Sequence, residues 1–174
     1  LSKNAFPVQL PIGQESELSG LVDLVLEKAF LFKGDHGNDI QEIPIPADMV
    51  DAVKKYRSEL IEKVSEADDT LMEKFIAGEA LSVEEIKKGI RALVLTDRIY
   101  PVLCGSALAN IGVQKMLDAV VDYLPSPLDM PLIQAKDPED LDNEEKRITV
   151  TPSDDEPVSA LAFKLATDPF VGKL

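Results

Sequence analysis

Apolar residues recur along this chain with two periods, and the change from one to the other falls near residue 47. In PVQLPIG, Val8, Leu10 and Ile12 share one face before Gly13, the period-two spacing of a half-buried strand. GLVDLVLEKAFLF groups Val22, Leu24 and Leu26 and runs on to Phe30 and Phe32. KGDHGND reads as a loop tip, and a short strand around Ile43 and Ile45 is broken by Pro44 and Pro46. Together these segments predict a small antiparallel sheet.

Beyond residue 47 the spacing becomes three and four. Val50, Val53, Leu60, Ile61, Val64, Leu71 and Phe75 predict one long amphipathic helix over 47–75, with Gly78 as its C-terminal stop. A second helix starts at LSVEEIKKGIRALVL, where Ser82 and Glu85 have the spacing of a capping box. Gly89 reads as a weak point in that helix, costing about 1 kcal/mol against Ala. A strand over 99–104 then enters the small-residue turn CGSAL. It leaves as a helix with Val113, Met116, Leu117, Val120 and Leu124 on one face. LPSPLDMP ends this helix. Residues 134–157 are acidic and turn-rich and read as exposed, and PVSALAFKL alternates Leu161, Phe163 and Leu165 as a terminal strand without a partner.

Composition narrows the function classes. The chain has 174 residues, 45% of them hydrophobic, enough for a core. Thirty-two acidic against 18 basic residues give a net charge of −14, which repels phosphate backbones and anionic lipid and favours a basic partner or plain solubility. The single cysteine, Cys104, allows no internal disulfide and fits a reducing compartment. No apolar run reaches the length of a membrane span.

A strand, a tight turn of small residues and a helix make the place where α/β proteins hold ligands. The wording of this turn, CGSAL, resembles the last guanine-nucleotide motif of GTP-binding proteins. The resemblance extends through QLPIG, GLVDLV, IPADMV, LMEKF, GVQKMLDAVVDYLPSP and DDEPVSALAFKLATDPFVGKL. The chain is thereby similar to bacterial-type translation elongation factor G over nearly its whole length; residues 33–41 and 134–153 are least like that family.

The resemblance implies an α+β fragment. Residues 6–96 would be the insert subdomain of a GTPase domain, a small antiparallel sheet with two helices. Residues 97–130 would be the last strand and helix of the GTPase core, 131–157 an acidic linker, and 158–174 the first strand of a following β-barrel. Ser106, Ala107 and Leu108 would hold guanine. Backbone amides there would face the base oxygen O6, so that adenine, with an amino group in that place, meets donor with donor. GTP or GDP with magnesium would belong to the intact protein. GxxxxGK[ST], DxxG and NKxD are absent from these letters, so the fragment alone is expected to hydrolyse nothing, and no residue is assigned to catalysis or to a metal. The chain's start at Leu1 also reads as that of a piece cut from something longer.

The first long helix carries Glu59, Glu62, Glu66 and Asp69 off its apolar stripe. A solvated face is the ordinary meaning of such acids. The resemblance makes them a docking strip for the C-terminal domain of the ribosomal stalk protein, in a ribosomal translocase of the bacterial cytoplasm or of an organelle. A ribosome-protection or ribosome-recycling relative, or a self-contained acidic binding module, remain as alternatives. His36 with Asp35 and Asp39 lacks the spacing of a calcium loop and the donors of a zinc site. Cys104 reads as a buried, inert thiol, and the acids of KDPEDLDNEE as linker.

Overall fold

The computed structural model describes residues 3–137, 139, 140, 143, 145–160, 167, 168, 172 and 173. The chain divides into two units, Leu1–Pro125 and Ser126–Leu174. The fold is mixed α+β, with four helices and small sheets among the described residues.

The first unit begins with β1 (Ala5–Pro7) and β2 (Gln9–Ile12), followed by β3 (Gly20–Asp23), β4 (Lys28–Lys33) and β5 (Asp39–Ile43). Strands β2 to β5 form an antiparallel four-stranded sheet in sequence order. The run GLVDLVLEKAFLF is thus a hairpin, not one strand. Asp23 turns the chain by accepting the amides of Val25 and Leu26, both at 2.9 Å, and Glu27 takes a positive φ of 58°. The hairpin is buried on both faces, which explains its nearly continuous apolar text. Val22 and Ala29 face one core, while Leu21 and Phe30 face another.

The larger core is closed by helices. α1 (Val50–Ser65) contributes Val53, Leu60 and Val64. The single helix expected over 47–75 is in fact two, because Asp68 leaves the helix in an extended conformation and caps α2 (Asp69–Ala77) by accepting the amide of Leu71 at 2.9 Å. Leu71 still reaches the same core, so the apolar period passes over the break unaltered. Gly78 ends α2 in the left-handed region, as expected. The capping box opens α3 (Val83–Leu95) with Glu85 N–H donating to Ser82 Oγ at 3.2 Å and Ser82 N–H to Glu85 Oε2 at 2.8 Å. Ile86, Ile90 and Leu93 of this helix complete the packing. Arg57 fastens α1 to the β3–β4 turn, donating to the carbonyls of Leu24 and Val25 and pairing with Glu27.

After α3 the chain forms β6 (Tyr100–Val102), which pairs in parallel with β1, and then α4 (Val113–Tyr123). Only Ala119 and Tyr123 of α4 are buried. The apolar stripe expected to pack, Met116, Leu117, Val120 and Leu124, lies largely exposed.

In the second unit, β7 (Ile133–Lys136) and β8 (Arg147–Val150) form an antiparallel hairpin within the stretch read as linker; their side chains are mostly exposed, as that reading expected. The hairpin follows from alternating Ile133, Ala135, Ile148 and Val150, closed by an ion pair from Lys146 to Asp137 at 2.8 Å. β9 (Thr167–Asp168) pairs with β10 (Gly172–Lys173). The strand expected on Leu161, Phe163 and Leu165 falls outside the described residues. No helix among the described residues is long and apolar enough to cross a membrane.

Gly89 is the point at which sequence and packing disagree about sign. A Cβ there would stand 2.6 Å from Val64 Cγ1 and 3.1 Å from Leu71 Cδ1, so the glycine is what lets α3 approach α1 and α2. Gly89→Ala is expected to destabilise the unit by about 1–3 kcal/mol through overpacking, overriding the helix-propensity gain of about 1 kcal/mol. A urea denaturation curve checks it; a higher midpoint would contradict this packing account.

Candidate functional site

The turn after β6 is built on backbone. Ser106 and Ile111 face each other as an antiparallel bridge, each N–H donating to the other's carbonyl at 2.9 Å. Inside that closure Ser106 Oγ accepts the amide of Ala109 at 3.3 Å, and the amide of Asn110 donates to the carbonyl of Ala107 at 3.2 Å. Among the described residues, the amides of Ala107 and Leu108 meet no protein acceptor. Two consecutive donors are thus left for solvent or a ligand at the tip of the turn. Leu108 is 96% exposed, so its side chain is open to pack on anything that arrives.

The flanks are tight because two glycines permit it. A Cβ on Gly105 would lie 2.4 Å from the Ile111 carbonyl oxygen, and one on Gly112 would lie 2.7 Å from that of Cys104. Gly112 also has a φ of +77°, where a side chain is strained. Beneath the turn Ile111 is buried against Leu21, Phe30 and Phe32, with Cys104 at the rim. The buried Gln9 side chain accepts the Cys104 amide at 3.3 Å. Cys104 is half-buried, not wholly buried as its strand position implies, because the chain turns away immediately after it. Burial still pushes its thiol up to about 11, which leaves little thiolate at neutral pH.

The acidic residues expected as a strip divide between two helices. Glu59 and Glu62 lie exposed on α1, Glu66 is its C-terminal cap, and Asp69 stands in the first turn of α2. Glu66 is compensated: its carboxylate receives Lys63 Nζ at 2.7 Å and Arg98 Nη2 at 3.2 Å. Lys63 chiefly holds its pKa below the usual carboxylate value. Among the described residues no ion pair reaches Glu59 or Glu62. These two, with Lys3, Phe6, Lys63 and Glu66, line a shallow groove of about 390 Å³. His36 sits at an exposed loop with a φ of 60°.

One cluster lies beyond what residue spacing reveals. Asp23, Lys87, Lys115, Asp118, Asp122 and Tyr123 line a cavity of about 280 Å³ between the sheet and α4. Lys87 and Asp122 pair at 2.7 Å, and Lys115 Nζ stands 4.2 Å from the centre of the Phe30 ring. Desolvation raises the Asp23 pKa against the opposing pull of the Val25 and Leu26 amides and the two lysines. Burial raises that of Tyr123 as well. The available signal was a lone acid inside GLVDLV; its partners come from distant segments and leave no mark in spacing.

No protein-family model matches the chain. Its fold is similar to part of the crystal structure of a protein from Thermus thermophilus. The TM-score is 0.69 over 98% of this chain, at 25% identity. The chain spans only 22% of that protein's length.

Because the Asp23 pKa is raised in the fold, its protonated form is the one folding prefers. The associated stability is complete below the unfolded aspartate value and is lost as pH climbs through the higher folded one. Asp23→Asn keeps an acceptor for the two amides and removes the charge. Its Tm is expected to exceed the wild-type value at pH 7, with the difference shrinking on acidification. Thermal melts across pH 3–8 (an approximate range bracketing the ordinary value) check this; a variant less stable at pH 7 contradicts it.

Proposed function

We propose that this chain is part of a translational GTPase of the elongation factor G type, supplying the last guanine-binding turn and a protein-docking helix. The observation that carries the reading is the pair of uncommitted amides at Ala107 and Leu108, held on a seat that glycines and Ile111 make rigid. Donors fixed in place before a ligand arrives discriminate by what they leave unpaired. Guanine offers O6 to them, whereas adenine offers an amino group. Leu108 would cover the base face.

Two further features support a larger body around this turn. The apolar stripe of α4 is exposed, and so are Tyr100 and Val102 on β6, at 45% and 44%; a parallel two-stranded pair and a helix with uncovered apolar residues have the makings of one edge of an α/β sheet. The similar Thermus thermophilus protein is also several times longer than this chain. Phosphate and magnesium ligands are assigned to none of the residues here, and GTP hydrolysis belongs to the whole protein, acting on the ribosome in translocation. When bound, the nucleotide would supply the phosphoryl chemistry. This chain's own part is to orient the base.

Docking of the ribosomal stalk's C-terminal domain is assigned to α1, centred on Glu59 and Glu62, because Glu66 is already engaged by Lys63 and Arg98. Asp69, in the first turn of α2, does not line the groove that Glu59 and Glu62 share.

Calorimetric titration of guanosine diphosphate into the full-length product of the gene is expected to show binding that adenosine diphosphate does not compete. The 174-residue chain alone is expected to give no heat. A full-length protein that ignores guanosine diphosphate overturns the reading. Independently, Glu59→Lys with Glu62→Lys is expected to weaken binding to the isolated stalk domain about tenfold at low salt and to flatten its salt dependence. Unchanged binding removes α1 as the docking helix.

A further inference from the structure

The turn is held from outside as well as from beneath. The β4–β5 loop, residues 34–38, lies directly against it. Asn110 Nδ2 donates to the carbonyl of His36 at 2.8 Å and to Asn38 Oδ1 at 3.4 Å. Gly37 is buried there, and a Cβ on it would stand 2.8 Å from the Ala109 carbonyl oxygen and 2.9 Å from that of Asn110. Side chain and backbone therefore meet in one contact that links segments more than seventy residues apart.

Both sides use backbone that few residue types adopt. His36, Gly37 and Asn110 all have positive φ, at 60°, 60° and 53°. Asparagine is among the few side chains that tolerate that region. It is also the one residue of the turn whose amide nitrogen reaches across. Left-handed residues persist where the surroundings over-determine them, and here each left-handed segment braces the other.

We propose that Asn110 and the 34–38 loop form a latch that holds the Ala107 and Leu108 amides in place, so that the four-stranded sheet sets guanine affinity and selectivity. The proposal rests on the reading of this turn as a base-binding turn. Asn110 is a positioning residue: its side chain points back at the loop, and its influence on a base passes through the peptide units of 107–109. Coupling of this kind is reciprocal. A base bound at the tip tightens the latch, and anything that shifts the β4–β5 hairpin alters the hold on the base by the same factor.

The test uses the full-length protein. Asn110→Gly keeps the backbone conformation accessible and deletes the two hydrogen bonds. Gly37→Ala pushes the loop off the turn. Both are expected to weaken guanosine and inosine diphosphate alike by about five- to tenfold, the loss of one or two modest hydrogen bonds, since both bases carry O6. Adenosine diphosphate, far too weak to compete in the wild type but measurable at high concentration, is expected to bind unchanged, so selectivity narrows by the same factor, which mere loss of fold stability would not produce. In the wild type, guanosine diphosphate is expected to slow hydrogen exchange at residues 34–38 as well as at 106–111, a readout that needs no variant to fold. Variants that bind both O6-bearing nucleotides within about twofold of wild type, or protection confined to 106–111, overturn the latch and leave the base turn standing. A wild-type protein that fails to bind guanosine diphosphate overturns the base turn, and the latch with it.

Discussion

The architecture of the first unit depends on backbone lying against backbone around residues 105–112. Gly105 and Gly112 bring the two ends of the turn together, and Gly37 brings the β4–β5 loop against its outer side, each at a separation that no Cβ allows. Hydrogen bonds at 2.9 Å then lock the closure between Ser106 and Ile111. The apolar seat of Leu21, Phe30, Phe32 and Ile111 follows from this contact, because Ile111 reaches the sheet only if the turn is this tight. Small residues are required here for access, and the polarity expected of a surface turn is supplied by main-chain amides instead.

The larger core answers to a different constraint, the filling of space between the sheet and three helices. Leu60, Val64, Ile86 and Ile90 are fully buried, and Gly89 lets their helices close. Charge is kept out of this region except where it is anchored. Arg57 ends on carbonyls of the β3–β4 turn, and Glu66 ends on Lys63 and Arg98. A net charge of −14 therefore says little about α1, where Asp51, Glu59 and Glu62 stand against Lys54, Lys55, Arg57 and Lys63. Compensated carboxylates add little to a long-range field, whereas uncommitted ones such as Glu59 and Glu62 add most of it.

Local signals were legible in the letters. The Ser82–Glu85 box, the stop at Gly78, the face shared by Val8, Leu10 and Ile12, and the strand–turn–helix around Ser106 all depend on residues a few positions apart. Failures came where a neighbour in space decides. The break at Asp68 is hidden because Leu71 resumes the same apolar face, and Gly89 looked costly because the side chains it spares lie on other helices. The hairpin between Val22 and Phe30 was masked by burial on both faces, which erases alternation. The contact of Asn110 with His36 has no signature at all, since the two are joined only by the fold.

The exposed stripe of α4 shows how local and global demands separate. Met116, Leu117, Val120, Val121 and Leu124 obey helical spacing, yet each is at least 44% exposed, while the buried face is the narrower one of Ala119 and Tyr123. Covering such a stripe yields about 25 cal/mol for each Å² removed from water, a gain the first unit does not itself collect. A helix that is apolar on one side and fastened to α3 on the other, by Lys87 to Asp122 and by Arg91 to the carbonyls of Asp122 and Leu124, is suited to sit between two bodies. On the proposed reading, α4 and the base turn that precedes it would then be positioned from both directions at once. The sheet would fix the amides through Ile111 and Asn110, and the body on the far side would fix the helix. A turn braced in this way would have little freedom to adapt to a base with the wrong edge, and on the proposed reading that rigidity, more than the number of hydrogen bonds it offers, would be the physical source of selectivity.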